Sequence, residues 1–307
     1  MECSICPRNC RVNRNEGAIG YCGMSNKLKV ARAALHMWEE PVISGNQGSG
    51  TIFFSGCPLR CVYCQNHDIA IGKAGKEITE DRLVEIFFEL KEKGAHNINL
   101  VTPTHYIPQI RKALSRAKSQ NLGLPVVYNT GSYEHSESLR QLEGLIDIYL
   151  PDMKYFSVKL GKKYSNAPDY FDMAAKAIRE MVRQTGTPWF YKENNREKIF
   201  EYSDEELLMG GGVIVRHLLL PGCVEDSKKV IKYLYETYGN KIFISIMNQY
   251  TPLEATGHFP ELGRKVTEQE YEEVVDYAVS IGVENGFIQE GDTASESFIP
   301  VFDNEGV

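Results

Sequence analysis

Between residues 51 and 290, short apolar runs rich in β-formers alternate with segments whose apolar side chains return every three to four positions. Residues 51–55 read as a strand. The spacing predicts a helix over 79–93, where Leu83, Ile86, Phe87 and Leu90 recur and Gly94 supplies the stop. A strand at 97–101, a turn through Pro103 and a helix over 107–120 follow. Strands at 125–128 and 146–150 bracket a helix at 135–142, and Ala174, Ala177, Ile178 and Met181 line one face of a helix at 169–183. A strand at 212–220 ends on Pro221-Gly222, ahead of a helix at 228–238 and a strand at 241–247. The last helix, 267–280, opens with Thr267 and Glu270 spaced as a capping box. Six β-then-α units predict a parallel sheet with right-handed crossovers, so the expected fold class is α/β, a partial (β/α)6 parallel barrel.

The first 50 residues lack either period until residue 28, and Pro7, Gly17, Gly20 and Gly23 punctuate them. Residues 28–43 predict an entry hairpin covering the barrel bottom. Gly45, Gly48 and Gly50 link it to the first barrel strand, and no Lys-Ser/Thr follows them to suggest a phosphate loop. The expected division is a cysteine-rich metal-binding segment with its hairpin (1–48), a core (49–294) and a tail (295–307). Residues 185–211 are longer than an ordinary helix-to-strand link of about 2–6 residues. They read as a lid or partner-binding excursion, with a plain surface insertion as the alternative.

Composition is that of a globular chain: 307 residues, 42% hydrophobic and 24% charged. No apolar run approaches the roughly 18 residues that span a membrane, and the N-terminus lacks the order of a signal peptide, so the cytoplasm is expected. With 34 basic against 41 acidic side chains, the net charge of -7 disfavours nucleic acid as a partner. Arg8, Arg11 and Arg14 form a local exception, read as a solvated face or as a docking patch for an acidic partner or reductase.

Seven of the eight cysteines fall in the first 64 residues, which points to metal ligation at two adjacent sites. Cys57, Cys61 and Cys64 follow the first barrel strand as CxxxCxxC. Three such thiolates can ligate three irons of a [4Fe-4S] cubane and leave the fourth open. The competing zinc knuckle lacks a close fourth ligand except His67. Cys3, Cys6, Cys10 and Cys22 lie in a loop-rich unit too small to bury a core. A metal is the expected staple there, zinc or a second iron–sulfur cluster, with free thiols as the alternative. Cys223 reads as a radical quencher or substrate contact, or as a small buried hydrophobe.

The loop Ser55-Gly56-Cys57-Pro58-Leu59-Arg60-Cys61-Val62-Tyr63-Cys64-Gln65-Asn66 resembles the signature of the radical S-adenosylmethionine (SAM) superfamily. Its second half looks like the branch containing the pyruvate formate-lyase activating enzymes. Related radical SAM proteins carry an N-terminal segment similar to Cys6-Pro7-Arg8-Asn9-Cys10. The resemblance implies a cluster whose open iron is chelated by SAM, and reductive cleavage that releases a 5'-deoxyadenosyl radical for hydrogen abstraction. It also implies a reductase partner such as flavodoxin or ferredoxin, and a small-molecule, peptide or protein substrate. The alternatives are a glycyl-radical activase acting on a partner protein, and a non-catalytic iron–sulfur protein.

Ligands of parallel α/β barrels bind at the carboxyl ends of the strands, and the resemblance assigns roles there. Tyr63 would pack on the SAM adenine, the alternative being a solvent-facing tyrosine. The activating family's Gly-Gly-Glu-Pro is replaced by Val101-Thr102-Pro103-Thr104-His105, which lacks the glutamate that holds the SAM amine; Thr102 and Thr104 are the remaining acceptors. Asn129 and Thr130 would bind ribose or methionine, and Asp152 and Lys154 would contact SAM, a structural ion pair being the alternative. Alternation puts Arg216 and His217 on opposite faces, with Arg216 favoured inward toward the SAM carboxylate. Met247-Asn248-Gln249-Tyr250 are read as facing substrate, or as closing the barrel by hydrogen bonds.

Overall fold

The computed structural model describes residues 2–203, 206–253, 256–289 and 300–307. After the cysteine-rich segment come β1 (Leu28–His36), α1 (Pro41–Ser44), β2 (Ser49–Phe54), α2 (His67–Ala70), β3 (Lys76–Ile78) and α3 (Glu80–Glu92). Then follow β4 (Ile98–Val101), α4 (Ile107–Ser119), β5 (Val126–Thr130), α5 (Ser136–Arg140), β6 (Ile148–Pro151), α6 (Val158–Ser165) and α7 (Tyr170–Thr185). The remainder is β7 (Trp189–Lys192), β8 (Asn195–Ile199), β9 (Leu208–Leu218), α8 (Val224–Tyr238), β10 (Phe243–Met247), α9 (Glu268–Ser280) and β11 (Gly286–Ile288).

The sheet runs β11-β10-β9-β6-β5-β4-β2-β1-β3. From β11 to β2 every neighbour pair is parallel, as a chain that returns through a helix after each strand requires. The helices begin where their caps dictate. The Thr79 hydroxyl accepts from the Arg82 amide ahead of α3, and Thr267 and Glu270 close a full capping box on α9.

The two faces of each strand enter different cores. Outward residues such as Leu100, Tyr128, Tyr149, Val213 and Val215 pack with Leu83, Ile110, Ile178 and Val230 of the helices. Inward residues Val127, Ile148, Leu150, Ile214 and Phe243 form a second cluster with Val42 and Ile43 of α1. The lower half of the barrel is therefore apolar and plugged by α1. Two residues further along the same strands, the inward positions are Asn129, Asp152 and Arg216. The polar site begins where the apolar plug ends.

Several expectations change. Residues 28–43 do not fold back on themselves: β1 pairs antiparallel with β2, so it widens the sheet, and α1 is the part of this stretch that covers the bottom. A boundary at 48 thus cuts through one continuous sheet; the boundary at 294/295 lies outside the described residues. Within the 185–211 stretch, β7 and β8 form a hairpin, and β7 pairs with Leu208, Met209 and Gly211 at the start of β9. That end is opposite the polar site, so the hairpin is not a lid over it. The glycine run of β9 makes room for this crossing: a Cβ at Gly210 would run into the Trp189 ring, and Gly212 has φ +124°. Helix α6 and strand β11 were not anticipated.

Candidate functional site

A cavity of about 240 Å³ opens at the carboxyl ends of the parallel strands. All three motif cysteines line it, with Asn129, Asp152, Lys154 and Arg216 facing them. The loop carrying the thiols is held from below by the N-terminal segment. Gly56 has φ +90°, and a Cβ there would lie 2.8 Å from the Cys22 carbonyl oxygen. Arg8 Nε donates to the Pro58 carbonyl at 2.7 Å, and its Nη2 donates to Ser165 O at 2.8 Å. Arg14 is buried and donates to His105 O, Met24 O and Ser25 O. Arg8 and Arg14 are therefore internal clamps and do not form the solvated or docking patch; Arg11 alone of the three is exposed.

Burial pushes the Cys57 thiol up to about 11, and the neighbouring charge of Cys61 adds to the rise. Cys64 is pushed up to about 12 by burial, then by Cys57 and Cys61. Against this, backbone amides of Leu59 and Arg60 favour the Cys57 thiolate, the Asn66 amide favours that of Cys64, and Lys154 favours both. Closely set thiols, with backbone donors on Cys57 and Cys64, suit a cationic metal centre, whose charge would draw off their protons and offset the repulsion between the thiolates. Among the described residues no group of three or more His, Cys, Asp or Glu side chains is set to hold a single ion. A cluster gives each thiolate its own iron, and three thiols carried by one loop into one cavity fit a [4Fe-4S] group.

The N-terminal cysteines converge in the same way. A Cβ on Gly20 would lie 3.5 Å from Cys10 Sγ and 3.7 Å from Cys22 Sγ. Burial pushes Cys6 up to about 12, with Glu134, Cys22 and Cys10 adding to it. Burial also raises Cys22, helped by Cys3 and Cys10. The Tyr21 amide donates to Cys10 Sγ at 3.1 Å.

Opposite the thiol loop stands a charged array. Asp152 accepts from Lys154 Nζ at 2.7 Å and from Arg216 Nε at 3.0 Å. Arg216 also reaches Glu39 Oε2 at 3.1 Å and Asn129 Oδ1 at 2.6 Å. Burial opposes the Asp152 charge, but Lys154 and Arg216 outweigh it and hold its pKa below the usual carboxylate value. Burial likewise opposes the Lys154 charge, and Asp152 reverses that. Arg216 therefore faces the cavity, while His217 points outward to Met153 O and Ser227 Oγ.

The remaining expectations divide. Tyr63 walls the cavity but is not solvent-facing: it is 5% exposed, with its hydroxyl against that of Tyr155. Thr102 lines the cavity with φ +57°. Thr104 and Thr130 also reach the lining, but both hydroxyls donate to Glu134 Oε1, at 2.7 and 2.6 Å, and so turn away from any ligand. Gln249 lines the cavity, whereas the Tyr250 hydroxyl closes onto Leu262 O. Cys223 lies outside the lining and packs against the core.

Two acids escaped the sequence reading. Glu39 enters the cavity from the β1–α1 link and also accepts from Asn99 and Asn129. Glu134, just past β5, collects three hydroxyls. Neither carries a local signal: Glu39 stands between Trp38 and Glu40, and Glu134 lies in the polar run Ser132-Tyr133-Glu134-His135-Ser136.

The pattern describing the Radical SAM superfamily matches residues 51–202. Uncharacterized protein MJ0674 of Methanocaldococcus jannaschii is 28% identical over 90% of this chain and 74% of its own. A pyruvate formate-lyase-activating enzyme of Staphylococcus aureus is 23% identical over 59% of this chain and 65% of its own. Among solved structures, methylornithine synthase (PylB) aligns at TM-score 0.51 and 16% identity, covering 81% of this chain and 63% of that one. Streptococcus suis SuiB bound to S-adenosylmethionine aligns at 0.50 and 15%. The chain spans about half of SuiB, 52%. These structural likenesses bear on the partial-barrel fold. The sequence match starts on β2, the strand that delivers the three thiols to the cavity, and continues through the next three strands of the ladder: the chain belongs to the radical SAM superfamily.

Proposed function

From membership we infer that the protein takes a [4Fe-4S] cluster and SAM. We propose that the cluster is held by Cys57, Cys61 and Cys64, and that the protein cleaves SAM reductively to methionine and a 5'-deoxyadenosyl radical, which takes a hydrogen atom from a substrate. The cluster, when bound, supplies the electron that breaks the sulfonium carbon–sulfur bond; a flavodoxin- or ferredoxin-type reductase replaces it. Lys154 and Arg216 orient the carboxylate of SAM, since two buried cations within one cavity can exchange part of their pairing with Asp152 and Glu39 for a ligand carboxylate. Glu39 and Asp152 face the ammonium and sulfonium, and Glu39 supplies the carboxylate that the second strand lacks. Thr102 and Asn129 border the same ligand, and the Tyr63 ring excludes water beneath it. Cys3, Cys6, Cys10 and Cys22 hold a second centre, zinc or iron–sulfur.

The observation that carries this reading is the placement of three thiols from one loop opposite the Asp152–Lys154–Arg216 array in a single cavity. A second reading, activation of a partner protein, is favoured by the apolar Met37 and Trp38 exposed where the β1–α1 link meets the cavity. The test is 5'-deoxyadenosine production by anaerobically reconstituted protein given dithionite and SAM, with iron, sulfide and zinc measured on the same samples. Product from the wild type and none from Cys61→Ala is expected. A reducible cluster that neither binds nor cleaves SAM would return the chain to a binding or electron-transfer role.

A further inference from the structure

Cys61 is the buried member of the motif trio, at 8% exposure, and it has a partner the other two lack. Ser165, the last residue of α6, donates from Oγ to Cys61 Sγ at 3.0 Å. The Ser165 hydroxyl lies 2.8 Å from that of Tyr155, which lies 2.7 Å from that of Tyr63. All are buried, Ser165 at 2%, Tyr155 at 1% and Tyr63 at 5% exposure. The line is pinned at both ends. The Val62 amide donates to Tyr164 O at 2.9 Å, and Arg8 bridges the Pro58 and Ser165 carbonyls. The thiol loop and the end of α6 therefore move as one piece.

Proton counting gives the line a direction. Three hydroxyls bring three protons to three contacts, and hydroxyl hydrogens rotate to suit their partners. An iron-bound Cys61 carries no proton and can only accept. Ser165 must then donate to Cys61 and Tyr155 to Ser165, so the Tyr155–Tyr63 bond, in which Tyr155 is the donor in the structure, must reverse and leave Tyr63 donating. Resting on the cluster assignment above, we propose that Tyr63, Tyr155 and Ser165 form a one-way hydroxyl relay that donates to the Cys61 thiolate and raises the reduction potential of the cluster. Reduction adds negative charge to the cluster and its thiolates, and donors aimed at the sulfur stabilise that added charge. Each hydroxyl polarises the next in the low-dielectric interior, so the effect fades along the line without vanishing. These are positioning residues: Ser165 and Tyr155 act on the cluster only through Cys61.

The test is a redox titration of the reconstituted full chain, followed by the electron paramagnetic resonance signal that changes on SAM addition. That signal separates this cluster from any centre at the N-terminal thiols. Ser165→Ala is expected to lower the reduced-to-oxidised ratio at a fixed poise by about fivefold, the size of one ordinary net hydrogen bond. Tyr155→Phe, which leaves the serine contact in place, is expected to lower it about twofold. Ser165→Thr restores the wild-type ratio. A merely structural role would reduce cluster occupancy without moving the ratio. Unshifted ratios in Ser165→Ala and Tyr155→Phe, with the wild-type signal present, would overturn the relay and leave the cluster assignment standing. If Ser165→Ala fails to take up a cluster, Tyr155→Phe alone decides. A wild type with no SAM-responsive signal would overturn both.

Discussion

Glu134 shows how one buried acid organises its surroundings. Its Oε1 accepts from Thr104, Tyr128 and Thr130, while Oε2 is buried without a hydrogen-bond partner among the described residues. Burial raises its pKa from 4.5 to about 7, and the three hydroxyls only soften the rise. The folded state therefore holds this proton more tightly than the unfolded chain does. The resulting stability is fully present below pH 4.5 and is lost as pH climbs to about 7. Glu134→Gln keeps an acceptor oxygen and places an amide where Oε2 has no partner. Thermal unfolding from pH 4.5 to 8 should show the wild type losing stability relative to this variant across that window, by about 3 kcal/mol at most. Parallel curves would mean that Glu134 stays ionised when folded.

At the level of elements, the consequential piece is α6, which carries Tyr164 and Ser165 to the thiol loop. Ser157 caps it, its hydroxyl accepting from the Leu160 amide, and Asn166 ends it at φ +48°. The apolar signal in its eight residues is thin. The β7–β8 hairpin is the opposite case, an element anticipated only as an excursion and found at the far end of β9 from Arg216. Glu193 and Arg196 on that hairpin reach Gln47 and Gly123 O at the bottom of the barrel. Replacing both with alanine is expected to leave the rate of 5'-deoxyadenosine formation within about twofold of wild type, as exposed substitutions remote from a site do. A larger drop would put the hairpin in the catalytic cycle.

Across the whole molecule, the two ends of the chain close on the same region. The N-terminal segment grips the thiol loop through Arg8, and the C-terminal residues 300–307 lie along β1. The Ala33 amide donates to Glu305 O at 2.8 Å and the Asn304 amide to Ala31 O at 3.1 Å. Arg32 pairs with Asp303 and Glu305, and Phe302 meets Phe53 edge-on at 5.5 Å. These contacts satisfy the part of β1 beyond its pairing with β3 at Leu28–Val30, which would otherwise present unpaired backbone. Phe302→Ala removes the apolar half of the latch and is expected to lower the unfolding midpoint by about 2–4 °C. An unchanged midpoint would mean that the backbone pairing alone holds the tail.

Much of this was written in the chain order. The 3.6 and 2.0 periods located the ladder strands and most of their helices, because each of those segments must bury one face whatever its neighbours do. Alternation on β9 set Arg216 and His217 on opposite faces, and the CxxxCxxC spacing marked the thiol loop before any contact was known. Tertiary structure decided which partners those residues meet. Thr104 and Thr130 read as ligand acceptors until Glu134, 4 residues past Thr130 but 30 past Thr104, took their hydroxyls. Arg8 and Arg14 read as surface charges until their guanidinium groups found backbone carbonyls. Glu39 and Ser165 carry no local signal, since what matters about each is a contact across 177 and 104 positions of chain. Periodicity reports what a segment must do for itself; a site assembled from distant segments exists only once the barrel has closed.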